Sequence, residues 1–573
     1  MNGASSANRS GRRVAMVTKQ IYNRGLTALA LCLLALPAAA QSFRVQCPSS
    51  TQHPQPGGEV KCQQISGGDG FATMGDGTQT YIFSFGPLSG LQDIKRGMPG
   101  TQTADVFNQP YVGDPNNPND PDAALSNPNG AVGLAPDPAA ATMPDGSRNS
   151  ALATACAGTA PPTACFTGHV DPRTIMDVGV MNGNMPAPLI AINEDDELFL
   201  TLTNVGMIMR PDLFEQHTVH FHGYPNASAF YDGVPDASVA INIGASFTYY
   251  YLAPDAGTYF WHCHITPPEH LQMGMVGQLY VRPRQNKVIG DLFTAAKNRE
   301  DKNLPTFDLR KACGTDILCA APVPAVSTGA SNDGTKKYAY NDGDGSTAYD
   351  VDYPIQIHGF DPSFHFVGMT FNPEPFTDMK DKYFLLNGRS YPDTVGGHAC
   401  ITSDPLPTCA GHSAGDVVPG PMHTQVTDGT EHFSQPLTTI INIPVGGKAL
   451  LRISDLDVSE FQTLASLGIP MHVIALNARL LRDQAGNNLA YDTNSITLGG
   501  GESLDVILDA SCKSRAPDGT CTTPYTTADV GTTYYLYTPN LDHLSNDAEN
   551  FGGLMTEVHL CRSVNPDTKA CGT

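Results

Sequence analysis

Six of the 17 histidines stand in three short strings within about fifty residues, beside one cysteine and two methionines. The strings are His217-Thr218-Val219-His220-Phe221-His222, Trp261-His262-Cys263-His264 and His270-Leu271-Gln272-Met273-Gly274-Met275. Imidazole nitrogen and thiolate sulfur bind borderline and soft metal ions. A lone histidine would read as an ordinary polar residue; this density reads as metal chemistry.

Strand geometry sorts these side chains into two environments. Along a β-strand successive side chains point to opposite faces. His217 shares its parity with Phe221, whereas His220 and His222 take the other face. Cys263 likewise points away from its neighbours His262 and His264. One metal environment is therefore expected inside a sandwich, around Cys263 and His217. A second is expected outside it, built from His220, His222, His262 and His264. A thiolate with two imidazoles and a weak thioether suits copper cycling between its two oxidation states. Zinc also takes cysteine and histidine, but its structural sites are closed by four nitrogen or sulfur ligands without methionine. The plainer reading of Met273 and Met275 is core filling.

The elements that must position these residues are short and β-rich. Strong helical periodicity is nearly absent, and 56 glycines and 45 prolines punctuate the chain. That pattern reads as an all-β protein of the sandwich or barrel class, with two β-rich units and long loop insertions. Strands are expected at 80–85, 188–192, 197–203, 218–221, 246–252, 258–263 and 275–281. A second set is expected at 383–388, 438–443, 449–453, 471–475, 503–508 and 533–537. The resulting organisation is a signal peptide over 1–40, an N-terminal disulfide-containing extension over 41–75, and a metal-binding domain over 76–284. A surface insertion at about 94–172 interrupts that domain, because its Asn/Asp/Pro/Ala-rich composition cannot build a core. A connector follows over 285–380, then a second domain without the metal motif over 381–562 and a tail over 563–573.

The first 40 residues carry Arg9, Arg12, Arg13, Lys19 and Arg24 and no acid, then the apolar run Leu26 to Leu36 and Ala38-Ala39-Ala40. This order of basic, apolar and small segments predicts a secretory signal, and so a periplasmic or secreted protein. The run is too short to span a bilayer, and no membrane span is expected. The cysteines agree with an oxidising compartment. Of 14, Cys32 lies in the signal and twelve form close sequential pairs, namely Cys47/Cys62, Cys156/Cys165, Cys313/Cys319, Cys400/Cys409, Cys512/Cys521 and Cys561/Cys571. Local disulfides are one reading of those pairs. Cys263 is left over, with histidine on both sides. The formal charge is −23, and loss of the five basic residues of the signal takes it to about −28. So acidic a surface disfavours nucleic acid as a partner and favours cationic ones.

These motifs resemble those of the multicopper oxidases, laccase-like enzymes of the cupredoxin superfamily. His220-Phe221-His222-Gly223 with Asp232-Gly233-Val234-Pro235 is similar to their first copper motif. Gly257 to His264, then His270 and Gly274-Met275, resembles their last, and Asn182 to Pro188 their opening strand signature. The resemblance is strong over about 180–284 and weak over 383–560, and it implies two cupredoxin-like Greek-key β-sandwich domains. It implies that His217, Cys263, His270 and Met275 ligate a type 1 copper. It implies that His220, His222, His262 and His264 contribute to a type 2/type 3 copper site where O2 is reduced. Electrons would pass from a small-molecule or metal-ion donor through Cys263 and its flanks. Asp232 would be an acid near that site, its other reading being a turn-forming Asp before Gly.

Two departures qualify the match. The interval from Cys263 to His270 is two residues longer than the family's, through Thr266-Pro267-Pro268. A complete oxygen-reducing cluster would need eight histidines in four His-X-His-like motifs, and this chain has two such motifs. A homo-oligomer in which another copy completes the site is the most economical resolution. Copper nitrite reductase is a second resemblance, through the spacing of His217 and His222 and through His262-Cys263. There His220 replaces a catalytic Asp and His264 is extra. A blue-copper electron carrier or copper-binding module is the third, non-enzymatic reading.

Overall fold

A 14-residue strand, β1 (Val60–Thr73), lies in the middle of a sheet that packs against the inner site, although its sequence is rich in glycine. In this computed structural model it is followed by β2 (Gln79–Pro87), helix α1 (Pro172–Gly179), β3 (Ile190–Asn193) and β4 (Glu197–Gly206). Then come β5 (His220–Phe221), β6 (Ser246–Leu252), β7 (Gly257–His262), helix α2 (Pro267–Gln272) and β8 (Val276–Arg282). The structure describes residues 47–50, 58–109, 111, 129–134, 172–211, 214–223, 228–253, 255–297, 322–368, 375–399, 417–419, 422–425, 431–517, 519–550 and 552–572. All of them belong to one unit, Phe43–Thr573. The signal peptide expected over 1–40 lies outside the described residues, as do the cysteine pairs 156/165, 313/319 and 400/409.

The first sandwich packs two sheets face to face. One has the order β2-β1-β4-β6, with β1 parallel to β4 and the other neighbours antiparallel. The other runs β3-β8-β7-β5. Ile65, Phe83, Leu200, Leu202 and Tyr249 from the first sheet meet Ile192, Tyr259, Trp261 and Leu279 from the second in one core. All ten residues of β4 are buried, so its outer face needs a cover as well. Phe107, Val132, Leu134 and Ile175 supply it. The first three fall in the segment read above as a surface insertion. That reading is corrected for Gln102–Phe107 and Ala131–Leu134, which bury apolar side chains despite their polar surroundings in the sequence.

The second sandwich contains β9 (Val351–Phe360), helix α3 (Pro362–Gly368), β10 (Tyr383–Leu386), β11 (Ile441–Pro444), β12 (Lys448–Asp455) and β13 (Gln462–Leu467). Its later strands are β14 (Met471–Leu476), β15 (Ser495–Leu498), β16 (Glu502–Asp509), β17 (Thr533–Tyr537) and β18 (Met555–Cys561). One sheet runs β10-β9-β12-β16-β14 and the other β11-β18-β17-β13-β15. Their inner faces meet through Ile355, Ile357, Leu451, Ile453 and Val506 against Ile441, Leu464, Leu536 and Leu560.

Two expected boundaries shift. Residues 60–73, placed above in an N-terminal extension, form β1, tied by Cys47–Cys62 to the segment before it. Residues 351–360, placed in the connector, form β9, which pairs with β10 and β12. β1 lacks clean alternation because both its faces are covered, and burial on two faces erases a period of two. β9 does alternate, with Val351, Tyr353, Ile355 and Ile357 on one face and Asp352, Pro354, Gln356 and His358 on the other. The pairs Cys512–Cys521 and Cys561–Cys571 are bonded, and Cys263 is a free, buried thiol.

The sandwiches are joined by buried polar contacts. Thr258 on β7 donates to Asp505 Oδ1 on β16 at 2.6 Å, and Ser503 Oγ donates to the Thr258 carbonyl at 2.8 Å. Gln278 on β8 donates to the Arg452 carbonyl and to Ser454 Oγ on β12 at 2.9 and 3.0 Å. Tyr340 donates to the other oxygen of Asp505. Asp505→Ala leaves two buried hydroxyls without their acceptor, a loss of about 1–3 kcal/mol by the cost of unsatisfied buried groups. Its denaturant midpoint should fall accordingly, and an unchanged midpoint would show that this contact does not hold the sandwiches together.

Candidate metal centre

The inner site is assembled from three places in the first sandwich. His217 is fixed by a two-way backbone bridge to Ile241, at 3.1 and 2.9 Å. Cys263 follows the end of β7 and donates its N–H to the Met275 carbonyl at 3.2 Å, so both ends of the Cys263–Met275 loop are pinned together. Within that loop Thr266 adopts φ 36°, and α2 begins at Pro267 and brings His270 back over the sulfur. The extra residues expected in a loop thus form the start of a helical turn. His217, Cys263, His270 and Met275 are each 0 % exposed.

Ligand atoms of His217, Cys263 and His270 lie within 4.8 Å of one another. His270 Nδ1 is 3.2 Å from the sulfur, which also accepts the Thr218 N–H at 3.4 Å. Neither ring nitrogen of His217 has a hydrogen-bond partner, an arrangement that costs free energy unless a ligand fills it. Met275 joins Cys263 in the same buried core. Sequence reasoning missed three supporting residues. Gly67 on β1 leaves room for the imidazole, since a Cβ there would sit 2.7 Å from His217 Cδ2. Phe83 on β2 sets its ring 5.0 Å from that of His270. Glu215 Oε2 lies 3.6 Å from His270 Nε2. Only contact across sheets identifies them.

Electrostatics favour a thiolate. Burial pushes the Cys263 thiol up, but the charge of His270 and the approach of both imidazoles outweigh it, and the group falls well below the usual thiol range. Burial pushes His270 down, yet the Cys263 sulfur and Glu215 lift it to about 9. Contact with His270 holds Glu215 below the ordinary carboxylate range. Glu269 is half-buried, and burial pushes its carboxyl up.

The outer site forms where β5 pairs with β7. His220 and His262 are cross-strand partners, which places their side chains on one face. His222 Nε2 lies 2.9 Å from His262 Nε2, and His220, His222 and His262 present ligand atoms within 4.8 Å of one another. The His264 ring is 4.9 Å from that of His220 and stacks on His262 at 5.6 Å. His220 Nδ1 donates to the Asp232 carbonyl at 2.6 Å, and His262 Nδ1 donates to the Cys263 carbonyl at 2.7 Å. A proton on Nδ1 leaves Nε2 as a lone-pair donor on each ring. The Asp232 carboxylate is 3.7 Å from His220 Nδ1 and about one-third exposed, so its backbone makes the closer contact. Burial lowers His222 to about 4 and His262 to about 3, which keeps both neutral.

Histidines of the second sandwich form no comparable group among the described residues. His365 faces two carbonyls, His543 contacts Gln462 and Glu460, His472 contacts Asp492, and His559 contacts Glu557.

Residues 167–286 match the family model described as multicopper oxidase. This part of the chain is similar to a multicopper oxidase domain. The domain region is 35% identical over 109 residues to "Laccase abr2" of Aspergillus fumigatus, covering 19% of this chain and 17% of that protein. It is 33% identical over 113 residues to an L-ascorbate oxidase of Cucumis sativus, covering 19% and 17%. The chain therefore spans less than a fifth of the length of these relatives. Among solved structures it is similar to the blue copper oxidase of Nitrosomonas europaea, at 19% identity over 66% of this chain and 78% of that one, with a TM-score of 0.38.

Copper is the cofactor implied by the multicopper oxidase match, and the residues of the inner cluster fit it. A buried thiolate between two imidazoles, with a methionine beside it, is a donor set suited to copper. Gly67→Val should drive the His217 imidazole out of line, so that copper analysis returns one ion fewer per chain, while far-ultraviolet circular dichroism is preserved.

The depressed histidines also set a pH dependence. They stay neutral in the folded chain but charge in the unfolded one below 6.5, so stability is complete above 6.5 and is lost as pH falls toward 4. The metal-free protein should therefore show a thermal midpoint that drops over this interval. The drop should be smaller in His262→Asn.

Proposed function

We propose that the chain is an exported, multicopper-oxidase-like oxidoreductase that removes single electrons from a metal ion or phenol-like reductant and delivers them to O2. Copper, when bound, supplies one-electron redox chemistry at a type 1 site and oxygen reduction at a type 2/type 3 site. In this reading His217, Cys263, His270 and Met275 would hold the type 1 ion. His220, His222, His262 and His264 serve the second site. The observation that carries the reading is the junction between the two clusters. His262 is bonded to Cys263 through one peptide link and also donates to that residue's carbonyl at 2.7 Å. The sulfur of one site is thus wired to an imidazole of the other by covalent bonds and a hydrogen bond.

The remaining residues have defined tasks. Tight burial of the inner ligands excludes water and keeps the thiolate from side reactions. Carbonyl acceptors on His220 and His262 fix the tautomers that present Nε2 outward. The Asp232 carboxylate, 3.7 Å from His220 Nδ1 and about one-third exposed, stands between the second site and solvent, where it would exchange protons with water. Glu215 touches buried His270 and is itself partly exposed, and so lies between the inner site and solvent.

Four outer histidines are half of what the family's oxygen-reducing cluster needs. A second copy of the chain, facing the first across a two-fold axis, would supply the other four. The partial exposure of His220 supports this, because the patch is open on one side.

Metal analysis, absorption and electron paramagnetic resonance spectra, and oxygen uptake with a reductant test the proposal together. The expected result is more than one copper per chain, a blue band, and oxygen consumption that Cys263→Ser abolishes without loss of fold. One copper per chain with a blue band and no oxygen uptake would establish a carrier instead, and nitrite-dependent turnover a reductase.

A further inference from the structure

Gln272 is fully buried two residues after His270 and three before Met275, yet it faces neither metal cluster. Every polar group it offers beyond its own helix is engaged from the 361–381 segment of the second sandwich. Its Nε2 donates to Asp381 Oδ1 at 3.0 Å. Its Oε1 accepts the Asp361 N–H at 2.9 Å, and its carbonyl lies 2.9 Å from His365 Nε2. These partners are held in turn. His365 Nδ1 is 2.6 Å from the Tyr81 carbonyl on β2, and its ring stacks on Phe360 at 3.5 Å. Tyr81 is two residues from Phe83, the side chain packed against His270. Asp381 accepts Ser459 Oγ and crowds against Asp457 over Gly359, where a Cβ would lie 2.2 Å from Asp381 Oδ2 and 2.4 Å from Asp457 Oδ2. Ser459, Asp457 and Gly359 all belong to the second sandwich.

We propose that Gln272 is a positioning residue through which the second sandwich fixes the His270–Met275 turn and so sets the ligand geometry of the inner centre. This rests on the reading of His217, Cys263, His270 and Met275 as ligands. The physical reason lies in the loop. Cys263 and Met275 are pinned to each other, but the stretch between them carries an extra turn and the left-handed Thr266, so its far side needs an external hold. An amide suits that task because it donates and accepts at once. A carboxylate there would face Asp381, and an apolar side chain would leave the Asp361 N–H and the Asp381 oxygen unpartnered in the interior. Outer residues that orient metal ligands tune the metal as well as hold it. The second sandwich, which lacks a ligand cluster of its own among the described residues, thereby acts on the inner centre.

The test uses the full copper-loaded chain. Gln272→Leu should keep its copper content and circular dichroism but shift the visible charge-transfer band, the copper hyperfine splitting and the reduction potential. Asp381→Leu removes the acceptor without touching the loop and should give the same shifts. Asp381→Asn keeps a carbonyl oxygen for Gln272 and should restore the parent spectrum. Asp505→Ala, which loosens the sandwich contact elsewhere, should leave the band in place. If the parent chain is blue and both leucine variants match it in spectrum and potential, the positioning role is overturned while the ligand reading stands. If the parent chain binds copper without a blue band, the ligand reading itself fails, and this inference with it. Should Gln272→Leu not fold, the Asp381 pair of variants decides alone.

Discussion

A buried thiolate cannot stand alone in a protein interior, and the organisation of the first sandwich follows from that constraint. The Cys263 sulfur sits among Trp261, Met273, Met275 and Tyr249, where an isolated charge would be costly. It is tolerated because His270 and His217 face it and the Thr218 N–H points at it. In the metal-free state the charge of His270 offsets that of the sulfur. A copper ion would take over that role with the same donor atoms. Gly67 gives up its side chain so that one imidazole fits, and Phe83 closes the other flank.

The same strand pair that delivers the sulfur builds the outer patch. Alternation along β7 and its continuation sends Cys263 inward and His262 outward. Pairing with β5 then sets His220 and His222 beside His262. Two clusters of different character, one dry and one partly open, thus arise from one hairpin-like pairing. A bonded path joins the two clusters without any additional element, because the adjacent residues His262 and Cys263 belong one to each.

The second sandwich has a different part. Among its described histidines, His472, His543 and His559 bond within the sandwich itself while His365 reaches across to the first, and it offers the first sandwich a docking surface instead of a ligand cluster. Asp505, Ser503, Arg452 and Ser454 receive β7 and β8, while Asp361, His365 and Asp381 receive the ligand loop. Gly501 lies beside His222 and Phe260, so the second sandwich also borders the outer patch. Polar contacts of this kind, buried and directional, specify one relative placement more sharply than apolar packing does.

Local chemistry in the chain was enough to single out the histidine-rich cluster over 217–275, the isolation of Cys263, the close cysteine pairs that the described residues show bonded, and the β-sandwich class. These depend on residue type and on spacings of a few residues, where strand parity and loop closure leave little freedom. Tertiary structure alone decided that the glycine-rich Val60–Thr73 is a central strand. It alone decided that Val351–Phe360 belongs to the second sandwich, and that parts of the 94–172 stretch cover β4. Gly67, Phe83, Glu215 and Gln272 became visible only there too. Each acts through a neighbour tens to hundreds of residues away, and no periodicity in the chain encodes a contact made across sheets. The glycine-rich β1, covered on both faces, shows no alternation, and a buried amide reads like any other glutamine until its partners are in place.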